Sequence, residues 1–233
     1  MNVVITGASK GLGKSIALKF ASAGHDLVLI SRNNQTLSNT ADELQAANPG
    51  IKVSYKSFDL STKPQAQAAA QWVLSLERPV DVLVNNAGQF IPGSVFNEPD
   101  GAIEEMIQHN LMSAYHLTRT LLPSMINRKS GHIFNMCSIA SFQAYPNGGS
   151  YSISKFALAG FSKNLREEMK PFGIKVTSIY PGAAYTDSWA SSGIDPNRLM
   201  EAEDVSDMIF AAAQLSLRAC VEDIILRPQA GDI

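Results

Sequence analysis

Short apolar runs alternate with amphipathic stretches along the whole chain. The apolar runs are rich in β-branched residues and predict strands at 2–6, 26–31, 52–58, 80–85, 132–138, 175–180 and 221–227. The stretches between them carry apolar residues at helical spacing and predict helices at about 12–23, 35–47, 63–77, 101–129, 151–171 and 203–216. This strict alternation indicates a parallel sheet with helices on both faces, because each connection between parallel strands lays a helix across the sheet.

The pattern therefore predicts the α/β class, with a single-domain Rossmann fold over residues 1–233 and a doubly wound, seven-stranded parallel sheet. In such a sheet, ligands bind at the carboxyl ends of the strands. One long irregular stretch, at about 181–202, follows the sixth predicted strand. We expect it to be a substrate or lid loop, because loops of that length in compact domains usually have a function.

Composition and charge exclude several classes of protein. With 45% apolar and 17% charged residues, the 233-residue chain fits a soluble globular domain, and its net charge of −2 indicates neither a nucleic-acid nor a membrane partner. No apolar run has the length of a transmembrane helix, and the first strand leaves no room for a signal peptide, so we expect a cytoplasmic protein. Cys137, Cys220 and the histidines form no ligand cluster, so neither a metal site nor a disulfide is expected.

The segment TGASKGLGKS, Thr6–Ser15, connects the first strand to the first helix. Gly7, Gly11 and Gly13 have the spacing of a dinucleotide-binding turn, but Ala8–Ser15 is also one glycine short of a P-loop. Both sites need a strand, a glycine turn and a helix N-terminus, whose free backbone N–H groups bind phosphate. The local sequence therefore leaves both sites open.

Acidic residues elsewhere in the chain favour the dinucleotide site. A P-loop enzyme also needs an acidic residue at the end of a buried strand, where it helps to hold magnesium. Asp26 and Asp81 stand at the beginnings of strands, and Asp59 follows a strand that is amphipathic rather than buried. None of the three suits that role.

Further polar motifs come where the predicted strands end. The segment NNAG, Asn85–Gly88, follows the fourth strand, Ser138 ends the fifth, and PGAAYT, Pro181–Thr186, follows the sixth. A predicted helix begins YSISK, which places Tyr151 and Lys155 four residues apart on one helix face. These groups are expected to meet at the carboxyl edge of the sheet, where the ligand would bind.

Together with T-G-x-x-x-G-x-G at Thr6–Gly13 and Asn110 within a helix, these motifs resemble the short-chain dehydrogenase/reductase family over essentially the whole chain. The resemblance implies oxidoreductase activity with a nicotinamide cofactor. It also implies that Lys155 binds the nicotinamide ribose and that Asn110 holds a water linking Lys155 to solvent. By the same resemblance, Asp59 contacts the adenine and Thr186 holds the carboxamide.

The predicted catalytic residues are Asn110, Ser138, Tyr151 and Lys155. The pKa of a tyrosine is ordinarily about 10, and a neighbouring lysine or cationic nicotinamide lowers it. Tyr151 is therefore suited to act as a general acid in carbonyl reduction and as a general base in alcohol oxidation. The Ser138 hydroxyl would orient the substrate oxygen, with Ser141 as a nearby alternative for this role.

The residues after the second strand favour a phosphorylated cofactor. An NAD site would place an acidic residue there for the ribose 2′-OH, but this chain has LISRN, with Arg32 after the strand and Lys10 in the glycine turn. Two cations suit the 2′-phosphate of NADP(H). The predicted cofactor-binding residues are Thr6, Gly7, Ser9, Lys10, Gly11, Leu12, Gly13, Ser31, Arg32, Asp59, Leu60, Asn86, Ala87, Gly88, Tyr151, Lys155, Pro181, Gly182, Ala184 and Thr186.

These features predict an NADP(H)-dependent oxidoreductase that transfers a hydride between nicotinamide and a small carbonyl compound or secondary alcohol. The predicted substrate pocket contains Ser138, Phe142, Tyr145, Tyr151, Tyr185 and Trp189, together with Met200. PGAAYTDSW and the tail EDIILRPQAGDI are similar to bacterial sepiapterin reductases, but related tails occur in reductases of hydroxy acids, so a pterin and a hydroxy acid both stay open. The alternative function is a catalytically idle NADP(H)-binding sensor or scaffold, which needs neither Tyr151 nor Ser138.

Apolar residues are spread widely around the helices predicted at 101–129 and 151–171. They are Ile103, Met106, Ile107, Met112, Tyr115 and Leu122 on the first helix and Phe156, Leu158, Phe161 and Leu165 on the second. Such a spread indicates a second buried face, because a monomer would expose a large apolar patch to water. The sequence therefore predicts a homodimer or homotetramer built on these helices, as the family resemblance also implies.

Overall fold

The computed structural model describes residues 1–186 and 193–232. Within these ranges, seven strands form one parallel sheet in the order β3-β2-β1-β4-β5-β6-β7. The strands are β1 (Asn2–Thr6), β2 (Asp26–Ser31), β3 (Val53–Ser57), β4 (Val82–Asn85), β5 (Gly131–Met136), β6 (Ile174–Pro181) and β7 (Asp223–Leu226). The predicted α/β class and seven-stranded parallel sheet are confirmed. The strand order reverses between β1 and β4, so the carboxyl ends of these two strands border the expected ligand crevice.

Seven α-helices lie in the described parts of the chain. They are α1 (Gly11–Ser22), α2 (Asn34–Ala47), α3 (Lys63–Ser75), α4 (Ala102–Ile107), α5 (Ser113–Arg128), α6 (Gly149–Met169) and α7 (Ala202–Ala213). The helix predicted at 101–129 is thus interrupted, because a π-helical turn, Gln108–Met112, separates α4 from α5. The other helices lie close to their predicted positions.

The helices form two layers, one on each face of the sheet. One apolar cluster joins the sheet to α1, α2 and α7, and the other joins it to α3, α5 and α6. The central strand β1 contributes to both clusters, with Val3 and Ile5 in the first and Val4 in the second. This alternation follows from the strand geometry, since successive side chains point to opposite faces.

The stretch predicted to be irregular at 181–202 is partly regular in its described residues. Pro181 still belongs to β6, and the Gly182 N–H donates to the Leu226 carbonyl oxygen of β7 at 2.7 Å. Further on, Ala184 pairs with Met200, and residues 196–198 form a short 3₁₀ turn. Backbone pairing with β7 and with Met200 therefore holds both ends of this stretch against the sheet.

The apolar face predicted on the helices is narrower than expected. Four of its residues are buried within the chain, namely Met106, Leu122, Leu158 and Leu165. Of the residues predicted on α6, Phe156 is 46% exposed, and Ile153, three residues before it on the same helix, is 47% exposed. Tyr115 of α5 and Phe161 of α6 are partly buried, with ring centroids 5.4 Å apart. The remaining apolar face is therefore centred on Ile153 and Phe156.

Three further predictions concern membranes, metals and disulfides. None of the helices in the described ranges is both long and apolar enough to cross a membrane. Among the same residues, no group of three or more His, Cys, Asp or Glu side chains is arranged to hold a metal ion. Both cysteines are free thiols, with Cys137 buried and Cys220 exposed.

Candidate active site

The glycine turn lies between the carboxyl end of β1 and the N-terminus of α1. Gly7 and Gly11 have φ angles of 64° and 54°, in the left-handed region that favours glycine. A Cβ on Gly13 would lie 2.1 Å from the Gly7 carbonyl oxygen, so the turn closes this tightly only around glycine. Within α1, the first turn has no acidic side chain and the N-cap position supplies no side-chain cap. The first N–H groups of α1 are therefore available to an anion.

The NNAG segment ties the end of β4 to the end of β1. The Thr6 hydroxyl accepts the backbone N–H groups of Asn86 at 3.0 Å and of Ala87 at 2.9 Å. In return, Asn86 Nδ2 donates to the carbonyl oxygens of Thr6 at 3.0 Å and Gly7 at 3.2 Å. These bonds fix the floor of the crevice between the two strands.

The end of β2 lies beside the glycine turn. The hydroxyl groups of Ser9 and Ser31 are hydrogen-bonded at 2.9 Å, which joins the turn to the last residue of β2. Arg32 follows Ser31 directly, and both Arg32 and Lys10 are exposed. The structure thus brings to one edge of the crevice the two cations that the sequence singled out.

Asp59 follows β3 at the same edge of the sheet. Its Oδ1 accepts the Ser61 N–H at 3.1 Å and the Ser61 hydroxyl at 2.7 Å. Burial raises the pKa of the Asp59 carboxyl, but these hydrogen bonds and the charge of Arg32 lower it more, so the pKa lies below its ordinary value. Asp59 is therefore a carboxylate within electrostatic reach of Arg32.

Four of the predicted cofactor residues are aliphatic and lie in or against the core. They are Leu12, Leu60, Ala87 and Ala184. Their side chains are used mainly in packing. Any contribution to a cofactor site would come largely from their backbone atoms.

Asn110 lies in the π-helical turn between α4 and α5 and is only 1% exposed. Its Oδ1 accepts the Gln89 N–H at 2.7 Å, and its Nδ2 donates to the Gln89 carbonyl oxygen at 3.0 Å and to Ser154 Oγ at 2.9 Å. A Cβ on Gly88 would lie 2.8 Å from Asn110 Oδ1 and 3.6 Å from Lys155 Nζ. Asn110 and Lys155 therefore border the same glycine.

Ser138 follows β5 and begins a short 3₁₀ turn. Its Oγ accepts the Ala140 N–H at 3.1 Å, and Ser141 Oγ accepts the Ser138 N–H at 3.1 Å. Ser141 is buried and engaged in this reciprocal cap, whereas the Ser138 side chain is also near enough to the Tyr151 hydroxyl to lower its pKa. Of the two serines considered from the sequence, Ser138 is thus the one beside the candidate tyrosine.

Tyr151 and Lys155 lie on one face of α6, directed at the end of β5. Lys155 Nζ donates to the Met136 carbonyl oxygen at 2.8 Å and lies 5.7 Å from the centroid of the Tyr151 ring. Lys155 is 5% exposed, and Tyr151 is partly exposed. The spacing in the sequence therefore produces the predicted pair.

The pKa of Tyr151 lies above its ordinary value in the protein without cofactor, whereas the sequence predicted a lowered pKa. Burial raises the pKa of the phenol, and the nearby Ser138 side chain opposes this without reversing it. Burial also lowers the pKa of Lys155 to about 8. The physical reason is common to both, because poorly solvated surroundings disfavour a phenolate as well as an ammonium ion.

The loop after β6 returns to the glycine turn. A Cβ on Gly11 would lie 3.4 Å from Thr186 Cγ2, so Thr186 packs beside the start of α1. Tyr185, whose N–H donates to the Met200 carbonyl oxygen at 2.8 Å, has a 46% exposed side chain. Trp189, which the sequence placed in the substrate pocket, lies outside the described residues.

Several aromatic rings of the predicted substrate pocket are exposed. The side chain of Phe142 is 45% exposed and that of Tyr145 is 39% exposed. Partial burial of Tyr145 raises the pKa of its phenol to about 12. Met200, in contrast, is 8% exposed and belongs to a core cluster, and its place in the substrate pocket stays a prediction.

Two neighbours of this site were not predicted from the sequence. Phe90 is 47% exposed, and its ring meets the Tyr151 ring edge-on, with centroids 4.8 Å apart. Its position directly after NNAG-Gln was a usable signal, because that segment leads out of the crevice. Arg227 of the tail lies 5.8 Å from the centroid of the Phe142 ring and donates to Gln143 Oε1 at 2.9 Å. No local pattern marked Arg227.

Residues 1–197 match the family model described as short chain dehydrogenase. The chain belongs to the short-chain dehydrogenase family. It is accordingly an oxidoreductase, in agreement with the resemblance carried by its motifs.

Curated relatives and solved structures of other short-chain dehydrogenases match nearly the full chain. Sepiapterin reductase of Chlorobaculum tepidum is 31% identical over 239 residues, covering 99% of this chain and 97% of the relative. An alcohol dehydrogenase of Thermococcus sibiricus, complexed with 5-hydroxy-NADP, is 26% identical with a TM-score of 0.90, covering 98% and 96% of the two chains. L-sorbose reductase of Gluconobacter frateurii, complexed with NADPH and L-sorbose, is 27% identical with a TM-score of 0.90, covering 97% and 95%. The two solved structures hold the type of cofactor that the sequence predicts here.

The crevice of this short-chain dehydrogenase has the chemistry that a dinucleotide phosphate needs. A Cβ on Gly7 would lie 2.9 Å from Asn86 Nδ2, and one on Gly13 would meet the Gly7 carbonyl oxygen, so glycines leave a cradle that side chains would fill. The N-terminus of α1 faces this cradle. At the end of β2, Arg32 stands where an NAD site would carry a carboxylate.

Proposed function

We propose that this short-chain dehydrogenase is an NADP(H)-dependent carbonyl reductase that interconverts a small carbonyl compound and the corresponding secondary alcohol. One observation carries the proposal, namely that the Tyr151 hydroxyl has the Ser138 side chain near it and that Tyr151 lies one helical turn from the buried Lys155. A protein that only bound a dinucleotide would need no such arrangement of proton-bearing groups.

Tyr151 and Ser138 would act on the substrate oxygen. The nicotinamide, when bound, supplies the hydride to the carbonyl carbon. Because burial keeps the Tyr151 hydroxyl protonated, it is ready to donate a proton to the oxygen that becomes negative in reduction. The Ser138 hydroxyl, fixed at the start of its 3₁₀ turn, would hydrogen-bond the same oxygen and stabilise its developing charge.

Lys155 and Asn110 would return a proton to Tyr151. Lys155 Nζ is anchored on the Met136 carbonyl oxygen, and with a pKa of about 8 it can exchange protons close to neutral pH. Asn110 is held by Gln89 and Ser154 in a single orientation beside Gly88, which Lys155 also borders. We assign to Asn110 the water that links Lys155 to solvent.

The preference for NADP(H) over NAD(H) would come from Arg32 and Lys10. Both are exposed at the edge of the crevice where a ribose 2′-phosphate would lie, and the Ser9–Ser31 hydrogen bond fixes that edge. Arg binds phosphate bidentately, which adds geometry to charge. The predicted cofactor-binding residues from the glycine turn, the NNAG segment and the loop after β6 complete the proposed site.

The exposed rings of Phe90, Phe142, Tyr145 and Tyr185 suit a planar substrate. Flat aromatic walls bind planar molecules by stacking and edge contacts. A pterin carrying a side-chain carbonyl fits these four aromatic rings better than a short hydroxy acid does. The sepiapterin reductase relative supports the same choice.

We also propose that the active form is a homodimer or homotetramer. The exposed apolar face of α6 around Ile153 and Phe156 supports this assembly, since soluble monomers rarely leave such a face in water. Two-fold pairing would cover this face on both copies.

The proposal is tested by cofactor titration followed by a substrate panel. Binding of NADPH and NADH is measured by fluorescence, and turnover is then followed as NADPH oxidation with diacetyl, phenanthrenequinone and sepiapterin, and as NADP reduction with serine and 3-hydroxybutyrate. We expect tighter binding of NADPH than NADH and turnover of at least one carbonyl compound. NADPH binding without turnover of any panel compound would indicate the idle sensor or scaffold instead, and the absence of NADPH binding would remove the proposal altogether.

A further inference from the structure

The segment Gln89–Glu98, here called the wall segment, connects NNAG to the turn before α4 and packs against the start of α6. The Gly93 N–H donates to the Asn147 carbonyl oxygen at 3.1 Å, and the Ser94 hydroxyl donates to Asn147 Oδ1 at 2.9 Å. At its beginning, Gln89 is bonded to Asn110 through both backbone groups. The wall segment is therefore tied to the π-helical turn that carries Asn110 and to the loop immediately before α6.

The end of the wall segment caps α6 from outside that helix. The N-cap residue of α6 supplies no side-chain cap, and the first turn of the helix contains no acidic residue. Instead, Glu98 Oε2 accepts the Ser150 N–H at 3.2 Å, and Glu98 Oε1 accepts the Ser150 hydroxyl. A carboxylate bonded to a first-turn N–H is the usual partner of a helix N-terminus, but here it comes from a distant part of the chain.

This contact is close and leaves little room for movement. Ser150 is 1% exposed, and Gly149 before it has a φ of 25°. A Cβ on Gly149 would lie 2.4 Å from the Gly93 carbonyl oxygen and 2.7 Å from Glu98 Oε2. The backbone of the wall segment thus lies directly against the first turn of α6. Tyr151 follows Ser150 in that turn.

We infer that Glu98 is a positioning residue for Tyr151: through Ser150 it fixes the first turn of α6 and so directs the Tyr151 hydroxyl toward Ser138. The inference rests on the proposed function, in which Tyr151 is the proton donor. The phenyl ring of Phe90, in the same wall segment, also contacts the Tyr151 ring edge-on, with centroids 4.8 Å apart. Small displacements of a catalytic group are costly, since about 1 Å of misplacement lowers a rate by about a hundredfold.

The experiment compares Glu98→Ala with Glu98→Gln, and uses Asp100→Ala as the matched control. Asp100 is an exposed carboxylate two residues further along. Glutamine can keep both contacts with Ser150, because its oxygen accepts the N–H and its NH₂ group donates to the hydroxyl. We expect kcat to fall by about ten- to a hundredfold in Glu98→Ala, to stay within about threefold of wild type in Glu98→Gln, and to be unchanged in Asp100→Ala. The KM for NADPH should stay the same in all three variants.

A second readout does not depend on turnover. In Glu98→Ala, amide hydrogen exchange at Ser150 and Tyr151 should become faster, while exchange in the rest of α6 is unchanged. If exchange in the first turn and kcat both match wild type, Glu98 has no positioning role. Faster exchange throughout α6 would likewise contradict the inference, because it would indicate general loosening of the fold.

A double-mutant cycle separates positioning from a purely structural effect. If Glu98 acts through Tyr151, Glu98→Ala should lower kcat in the wild-type background but not further in the Tyr151→Phe background. Equal losses in both backgrounds would overturn the inference while leaving the proposed function intact. Full activity of Tyr151→Phe alone would instead overturn the proposed function, and the inference with it.

Discussion

At the scale of single residues, the chemistry of the site depends on how a few buried groups are solvated. Tyr151 lies between a serine hydroxyl that lowers its pKa and surroundings that raise it, and the surroundings have the larger effect. The neutral phenol that results is the form needed to protonate a substrate oxygen. Lys155, buried beside it, is the group able to restore that proton.

Tyr151→Phe should lower kcat by at least about a hundredfold, which is the usual contribution of general acid–base catalysis. The phenyl ring can keep its edge contact with Phe90, so NADPH binding should be unchanged. Both quantities are measured by steady-state kinetics and fluorescence titration. Tyr55→Phe, which alters an exposed tyrosine on β3, serves as the control and should behave as wild type. Full activity of Tyr151→Phe would remove this residue from the mechanism.

Arg32→Asp should exchange the cofactor preference of the enzyme. The new carboxylate would repel a 2′-phosphate but accept hydrogen bonds from a free 2′-OH, so NADPH binding should weaken and NADH binding improve. The measurement is the ratio of kcat/KM for the two cofactors. Arg218→Asp introduces the same charge change at an exposed position before β7 and should leave the ratio unaltered. A wild-type enzyme that already prefers NADH would contradict the assignment of Arg32.

At the scale of elements, what the sequence could predict divides by the range of the interactions involved. Strands such as Asn2–Thr6 and helices such as Asn34–Ala47 follow from local periodicity, and the sequence placed them well. The pairing of Tyr151 with Lys155 also follows from helical spacing alone. These features need no knowledge of the rest of the chain.

Other parts of the site depend on contacts between distant segments, which periodicity does not contain. The π-helical turn around Asn110 forms where the Asn110 side chain bonds Gln89 and Ser154. Because local periodicity does not show these contacts, the sequence predicted an uninterrupted helix there. The cap of α6 by Glu98 and the contact of Phe90 with Tyr151 were missed for the same reason.

The β5 strand carries a buried histidine that should make stability depend on pH. His132 Nε2 is hydrogen-bonded with Thr177 Oγ1 at 2.7 Å, and its ring stacks on Phe134. Burial, and after it the charge of Lys175, lower the pKa of His132 to about 3. In the unfolded chain the pKa returns to about 6.5, so as the pH falls the unfolded state binds the proton first.

The stability that neutral His132 contributes is therefore complete above about pH 6.5 and is lost as the pH falls toward 3, at up to about 1.4 kcal/mol per pH unit. Urea unfolding at a series of pH values measures this slope. His132→Gln should be less stable at neutral pH but show a shallower slope in this range. His116→Gln, at a partly buried position, should change the slope much less. Identical slopes for wild type and His132→Gln would contradict the prediction.

At the scale of the whole molecule, the exposed face of α6 should decide the oligomeric state. Light scattering at micromolar concentration should show a dimer or tetramer of the 25.1 kDa chain. Phe156→Asp replaces a ring that is 46% exposed with a carboxylate and should shift the protein to monomers. Leu18→Asp introduces the same charge at a partly exposed position on α1, in the other helix layer, and should leave the assembly intact. A wild-type mass near that of one chain would show that this face is not an interface.

The position of β1 in the sheet has a consequence for how the chain folds as it is synthesised. β1 precedes the other six strands in the chain, yet it lies in the middle of the finished sheet, where Val3 pairs with Leu27 on one side and with Val82 on the other. The first edge is covered soon, but the second stays open until β4 has been made. An apolar strand with an open edge readily pairs with other chains. Until Asn85 has emerged from the ribosome, the nascent chain therefore needs protection from pairing with other chains along this edge.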